Sequence, residues 1–147
     1  MTDTTTFNRL LAFDFGTKRM GIATGQTVTA TAAPLAPVPA RDGIPDWDKV
    51  DAVFKEWQPE AVIVGLPLNM DDSESELSHL ARKFGRRLHA RYRLPVFMQD
   101  ERLSSRAARE ELGAVFERRR GKLPSLDSTA AVLILEAWLN TPTTIRP

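Results

Sequence analysis

The segment Leu10–Gly21 reads LLAFDFGTKRMG. It opens with the apolar residues expected of a strand, and then sets a carboxylate, Asp14, among them. An ionised carboxylate buried without a partner is costly, so Asp14 calls for a side chain, a phosphate or a metal to meet it. Gly16-Thr17-Lys18-Arg19 reads as a turn, after which Met20–Thr24 resumes a strand pattern. A further run, Val28–Ala33, follows Gly25-Gln26. Three strands with such short connections predict an antiparallel meander.

Beyond the meander, Pro34, Pro37 and Pro39 predict a loop, because proline removes backbone donors and resists helix. The period then changes. Val50, Val53, Phe54 and Trp57 recur at helical spacing, with Asp46 as a candidate N-cap. The unbroken apolar run Ala61–Gly65 predicts a strand buried on both faces. Ser73 and Glu76 have capping-box spacing and open a second helix, whose core face is Leu77, Leu80, Ala81, Phe84 and Leu88. Pro95–Gln99 predicts another strand, ending in Asp100-Glu101-Arg102. Ser104 or Ser105 starts a helix through Leu112, and Ser128–Leu139 forms a last one after Asp127. This order predicts an α/β fold: a mixed five-stranded sheet, a β1-β2-β3 meander followed by parallel strands, with helices on its faces.

The 147 residues fit a single domain, with about 1–8 and 141–147 as flexible tails. The chain has no cysteine, which excludes disulfides, thiolate nucleophiles and cysteine zinc sites. No signal-peptide pattern or membrane-length apolar run is present, so a soluble protein of a reducing compartment is expected. The net charge of +1 conceals an imbalance. Residues 1–81 carry 6 Lys and Arg against 12 Asp and Glu, whereas residues 82–147 carry 14 against 7. Such a distribution fits either a basic face for a polyanion or a set of solvated helix surfaces.

Three carboxylates fall at the ends of predicted elements. Asp14 shares a strand face with Leu10 and Ala12, by the period of two. Glu101 follows a strand, where α/β sheets tend to hold ligands, and Asp127 begins the last helix. Converging acids would repel one another by roughly 4 kcal/mol per pair at 4 Å and an effective dielectric near 20. Such a cluster suits Mg²⁺ or Mn²⁺, one or two ions, which can activate water against a phosphodiester. Separately, Asp127 also fits an N-cap, and Glu101 a surface pair with Arg102, Arg106 or Arg109. Asp100 competes with Glu101, since adjacent residues of a strand face opposite sides.

Lys18 and Arg19 could neutralise a phosphate near Gly16, or simply be solvated turn residues. Asn69, in the Gly65–Asn69 loop, fits a sugar or phosphate contact and equally a loop cap. Arg118, Arg119, Arg120 and Lys122 form a basic run just before Asp127, suited to a nucleic-acid backbone. The arginines and lysine of the second helix, Arg82 to Arg91, fit a solvated face. His79 and His89 lack the spacing of a helical zinc pair. No aromatic-rich strand surface points to base stacking.

The segments LLAFDFGTKRMGIA, VIVGLPLNMD, VFMQDERLSSRAA and LDSTAAVLILEAWL resemble, in order and spacing, the YqgF/RuvX family. The resemblance implies a ribonuclease H-like fold and a nuclease that matures the precursor of 16S ribosomal RNA in the cytoplasm. It implies Asp14, Glu101 and Asp127 as a metal-binding catalytic triad and favours Glu101 over Asp100. Two departures stand out: Gly25-Gln26 replaces a common Ser-Asp, and Asp72 replaces a usual glycine. A Holliday-junction-type DNA resolvase and a non-catalytic nucleic-acid-binding module are alternatives with the same backbone chemistry. An actin-like nucleotide-binding domain fits the D-F-G-T motif, but the chain has length for only one of the two domains it needs. The protein is expected as a monomer or homodimer without a membrane partner.

Overall fold

The computed structural model describes residues 7–69, 71, 73–101 and 126–147, the side chains of Leu126 and Asp127 excepted. Six strands and three helices appear among them: β1 Arg9–Asp14, β2 Arg19–Gln26, β3 Thr31–Arg41, β4 Ile44–Pro45, α1 Trp47–Trp57, β5 Ala61–Leu66, α2 Glu76–Tyr92, β6 Val96–Asp100 and α3 Leu126–Asn140. One sheet runs in the order β4-β3-β2-β1-β5-β6. β1 to β4 pair antiparallel, while β5 and β6 are parallel to β1. The predicted helix after Ser104 or Ser105 lies outside the described residues.

The sheet has six strands rather than the five expected: the two-residue β4 is the addition, and the proline segment extends the third strand instead of forming a loop. Residues 27–30 form a turn, and the third strand begins at Thr31 and runs through Pro34, Pro37 and Pro39 to Arg41. Proline is tolerated there because β3 is an edge for most of its length; the two-residue β4 pairs only with Ala40 and Arg41. A register shift between Met20 and Ile22 also bends the pairing of β2 with β3.

Alternation along the strands sorts the core into two layers. Leu11, Phe13, Val62, Val64, Val96 and Met98 face α1 and α2, meeting Val50, Phe54, Phe84 and Leu88. Leu10, Ala12, Ile63 and Phe97 face α3, meeting Ala131, Ile134, Leu135 and Trp138. β5 is buried along its whole length, as its unbroken apolar run requires.

α1 starts as expected, with the Asp46 carboxylate accepting from the Asp48 N–H at 3.2 Å. α2 starts two residues later than the capping-box spacing suggests. Ser75 is its N-cap and exchanges hydrogen bonds with Ser78. Ser73 is engaged elsewhere: its hydroxyl donates to Asp71 Oδ1 at 2.5 Å and accepts from Asn69 Nδ2 at 2.9 Å. Buried Ser78 therefore joins the inner face, bonding the Pro67 carbonyl, while Leu77 stays exposed.

Residues 141–147, read as a loose end, dock on the sheet edge instead. Met98 N–H donates to the Ile145 carbonyl at 2.7 Å, and Thr143 Oγ1 to the Met98 carbonyl at 3.3 Å. Trp138 Nε1 donates to the Thr143 carbonyl at 3.0 Å, and Arg82 Nη1 to that of Arg146 at 2.9 Å. The edge strand β6 supplies the two Met98 bonds, α3 and α2 the others, and pairing of the β6 edge is what draws in a proline-containing tail. At the other terminus Phe7 also packs, its ring centroid 6.0 Å from that of Phe97. Among the described residues, no helix is long and apolar enough to cross a membrane.

Candidate active site

Asp14 is the last residue of β1, opposite Gly21 of β2. It is half-buried and lies on the α3 side of the sheet, continuing the face of Leu10 and Ala12. Phe13 pairs with Val64, so one further step of the ladder sets Gly65 beside Asp14. Gly65 in turn pairs with Gln99 of β6. Phe97 faces α3, so Gln99 and Glu101 follow it on that side and Asp100 takes the opposite one.

Glu101 reaches back over this same row. A Cβ placed on Gly65 would stand 2.5 Å from Glu101 Oε1 and 2.6 Å from Ile134 Cδ1. The absence of a side chain at Gly65 is therefore what leaves room for the Glu101 carboxylate on β5, with Oε1 buried. Asp14 and Glu101 thus occupy one end and one face of the sheet, carried by β1 and the residue after β6, with Gly65 between them.

The start of α3 belongs to the same end. Buried Ser128 donates to the carbonyl of Leu35, Leu35 pairs with Ile22, and Ile22 with Phe13. Farther along the helix, Leu135 closes on Gly25, where an added Cβ would lie 2.7 Å from its Cδ2. α3 therefore runs along β2 with its first turn toward the Asp14 end. Asp127 falls in that first turn; its side chain lies outside the described residues. Among the described residues, no three acidic or histidine side chains gather closely enough to hold a metal on their own.

Three features bear on whether a hard divalent cation fits. The donors at hand are carboxylate oxygens. Gly65 leaves space above β5 beside them. Gln99 Oε1 is buried on the same face and has no hydrogen-bond partner among the described residues. Oxygen donors of this kind fit a hard divalent cation, and Asp14 and Glu101 are the described acids that could hold one.

Lys18 and Arg19 are exposed on the turn that follows Asp14. The turn is braced from behind, because Gly43 N–H donates to the Thr17 carbonyl at 3.0 Å and Ala40 N–H to that of Lys18 at 2.8 Å. Gly16 serves the turn itself: a Cβ there would meet the Arg19 carbonyl oxygen at 2.1 Å. Asn69 is exposed and organises its loop, its backbone N–H donating to the Ser73 carbonyl at 2.9 Å and its amide to the Ser73 hydroxyl. Arg118, Arg119, Arg120 and Lys122 lie outside the described residues. His79 and His89 are exposed; His79 Nδ1 lies 3.9 Å from Glu74 Oε1, and His89 Nδ1 2.8 Å from the Leu94 carbonyl.

Sequence reasoning missed Gln99 and the specific use of Gly65. A strand-end glycine two residues beyond Ile63 carried a signal, but its meaning depended on which residue crossed over it.

The fold is ribonuclease H-like. Superposition on Thermus thermophilus RuvC in complex with a Holliday junction substrate gives a TM-score of 0.59 at 20% identity, covering 93% of this chain and 98% of that one. A second Thermus thermophilus RuvC structure gives 0.54 at 18% identity, covering 95% and 99%. At the level of sequence, residues 8–141 match the family described as RuvX: Holliday junction resolvase, and the chain belongs to that family. A relative from Marinobacter nauticus is 56% identical over 88% of this chain and 91% of its own. One from Acinetobacter baylyi is 49% identical over 100% of both chains, and one from Saccharophagus degradans 56% over 90% and 94%. All three are named as proposed pre-16S rRNA nucleases.

Proposed function

We propose that this chain is an endonuclease that hydrolyses phosphodiester bonds in precursor 16S rRNA, in the cytoplasm, with a divalent metal ion. The supporting observation is the arrangement of Asp14 and Glu101 on one face at one end of the sheet, with Gly65 leaving space for the Glu101 carboxylate. The names of relatives at about half identity or more over most of the chain support the RNA substrate. Asp127, in the first turn of α3, is the third acid of the proposed site.

Asp14 and Glu101 would hold Mg²⁺ or Mn²⁺, one ion or two, with Asp127 completing the set. The cation supplies charge to activate water and to offset the negative charge that builds on the leaving oxygen. The chain's own part is to hold the acids close despite their repulsion. Glu101 Oε1 is buried over the space that Gly65 leaves, which sets that carboxylate on the Asp14 side of the sheet. Lys18 and Arg19, on the braced turn after Asp14, would neutralise a phosphate entering from solvent. Arg118, Arg119, Arg120 and Lys122 would hold the nucleic-acid backbone, and Asn69 would contact a sugar or phosphate.

A DNA-junction reading is favoured by the family's description as a Holliday junction resolvase. Precursor 16S rRNA and a four-way DNA junction, incubated side by side with Mg²⁺ or Mn²⁺, separate the two. RNA cleavage that is lost in both Asp14→Asn and Glu101→Gln supports the proposal. RNA cleavage equal to the parent in both variants would overturn the assigned site, and junction cleavage alone would overturn the substrate.

A further inference from the structure

Four arginines on α2 and at its C-cap, Arg82, Arg86, Arg91 and Arg93, differ in their partners. Arg91 is held by Asp51 at 2.6 Å and Arg82 by Glu74 at 2.7 Å, so their charge is spent within the protein. Arg86 and Arg93 have no carboxylate within ion-pair distance among the described residues. These two, together with Arg146 and His89, ring an open groove of about 570 Å³ with Val96 and Phe97 in its lining. Among the described residues, no aspartate or glutamate side chain lines it. The docked 141–147 segment builds one wall: Gly85 makes room for Pro147, since a Cβ at Gly85 would stand 2.8 Å from the proline ring. Arg82 meanwhile fixes the Arg146 backbone through the carbonyl bond described above.

This groove sits at the start of β6, while Glu101 follows its end. At about 3.3 Å per residue the separation along the strand is roughly 16 Å. A nucleic-acid strand in helical form advances about 3.4 Å per phosphate, so one backbone could reach from one place to the other in roughly five nucleotides.

We propose that the Arg86–Arg93–Arg146 groove binds the phosphodiester backbone of the nucleic-acid substrate, away from the cleaved bond. The proposal rests on the nuclease reading above. Charge complementarity carries it: three arginines line one groove with no aspartate or glutamate among the described lining residues, and guanidinium is the side chain best matched to phosphate oxygens. Phe97 is buried, and the arginines offer guanidiniums suited to phosphate, so the contact proposed is with the backbone. Arg86 anchors it from α2, Arg93 from the C-cap of that helix, and Arg146 from the docked tail.

The test is fluorescence anisotropy of a labelled single-stranded RNA in EDTA, titrated with full-length protein between 50 and 200 mM salt. The double variant Arg86→Gln, Arg93→Gln should bind about tenfold more weakly at low salt, with a log–log salt slope smaller by about 1.4. Arg146→Gln should move both in the same direction by about half. Lys49→Gln, Lys55→Gln removes two charges from α1, outside the groove, and should bind as the parent does. Unchanged affinity and slope in the Arg86, Arg93 variant would overturn the groove while leaving the nuclease reading intact. Equal weakening by the α1 variant would also overturn it, by making total charge the cause. A parent that binds neither this RNA nor a four-way DNA junction would overturn the nuclease reading itself.

Discussion

The two faces of the sheet use acidic residues in opposite ways. On the α1 and α2 face, Asp51 accepts from Arg91 Nε at 2.8 Å and Nη2 at 2.6 Å, and from Tyr92 Oη at 2.5 Å. Arg91 also stacks over Trp47 at 4.8 Å, and Tyr92 on Phe54 at 3.7 Å. That acid joins two helices. On the α3 face, Asp14 and Glu101 come to one strand end from separate strands, and a missing side chain at Gly65 makes the space between them. The same carboxyl group is a clamp where donors converge on it, and a candidate ligand where acids are brought together. The contrast predicts that changes on one face alter stability and changes on the other alter chemistry.

The largest effect is expected from Asp14→Asn or Glu101→Gln. Each should lower the cleavage rate by more than the roughly 10–100-fold that loss of an outer-shell partner costs, with the circular dichroism spectrum unchanged. Cleavage rates measured in parallel with melting curves check both halves of that statement.

Gly65→Ala should cost roughly 10–100-fold in cleavage rate, because a displaced carboxylate misplaces the reacting groups. Its melting temperature should change little, since both atoms in the way are ends of side chains that can rotate. Gly16→Ala is the useful opposite. There the obstacle is the Arg19 backbone carbonyl, so unfolding free energy should fall by about 1–3 kcal/mol.

Added Mg²⁺ should raise the parent's melting temperature by a few degrees and leave Asp14→Asn unmoved, because only a folded site binds the ion. Thermal melts with Mg²⁺ and with EDTA read this directly. Equal stabilisation of both proteins would break the assignment of Asp14 as a ligand.

The smallest effect belongs to the clamp. Hydrogen bonds from Arg91, and then from Tyr92, hold the Asp51 carboxyl down at about 2 from an ordinary 3.8. A lowered folded-state pKa contributes stability that is fully present above the ordinary value and is lost as pH falls through the folded one. Asp51→Asn should therefore melt a few degrees below the parent at neutral pH, with the gap closing as pH drops from about 4 toward 2. The pair is largely solvent-exposed, which keeps the effect modest. A gap independent of pH would mean that packing, not charge, joins α1 to α2.

Local chemistry carried much of this outcome in advance. Asp46 has the short acceptor and following apolar period of an N-cap, and it caps α1. The apolar run at Ala61 could only be an inner strand, because no alternation offers a wet face. Asp14 stood out as a carboxylate in a buried strand before any partner was known. Errors arose where a residue had two local uses: Ser73 fits a cap by spacing, but its hydroxyl is already bonded within the 69–73 loop.

The sequence by itself determined the two strand periods, the helical faces and the position of an anomalous acid. These follow from backbone geometry and side-chain patterning within a few residues. Tertiary structure decided that a proline-rich segment serves as β3, because only its pairing partners define which edge is open. It decided that residues 141–147 line β6, because the bonds that hold them belong to a strand over forty residues earlier. It also decided that Glu101, rather than Asp100, shares the face of Asp14 and lies over Gly65. Strand register turns alternate residues to opposite faces, and register is set by neighbours that are distant in the chain.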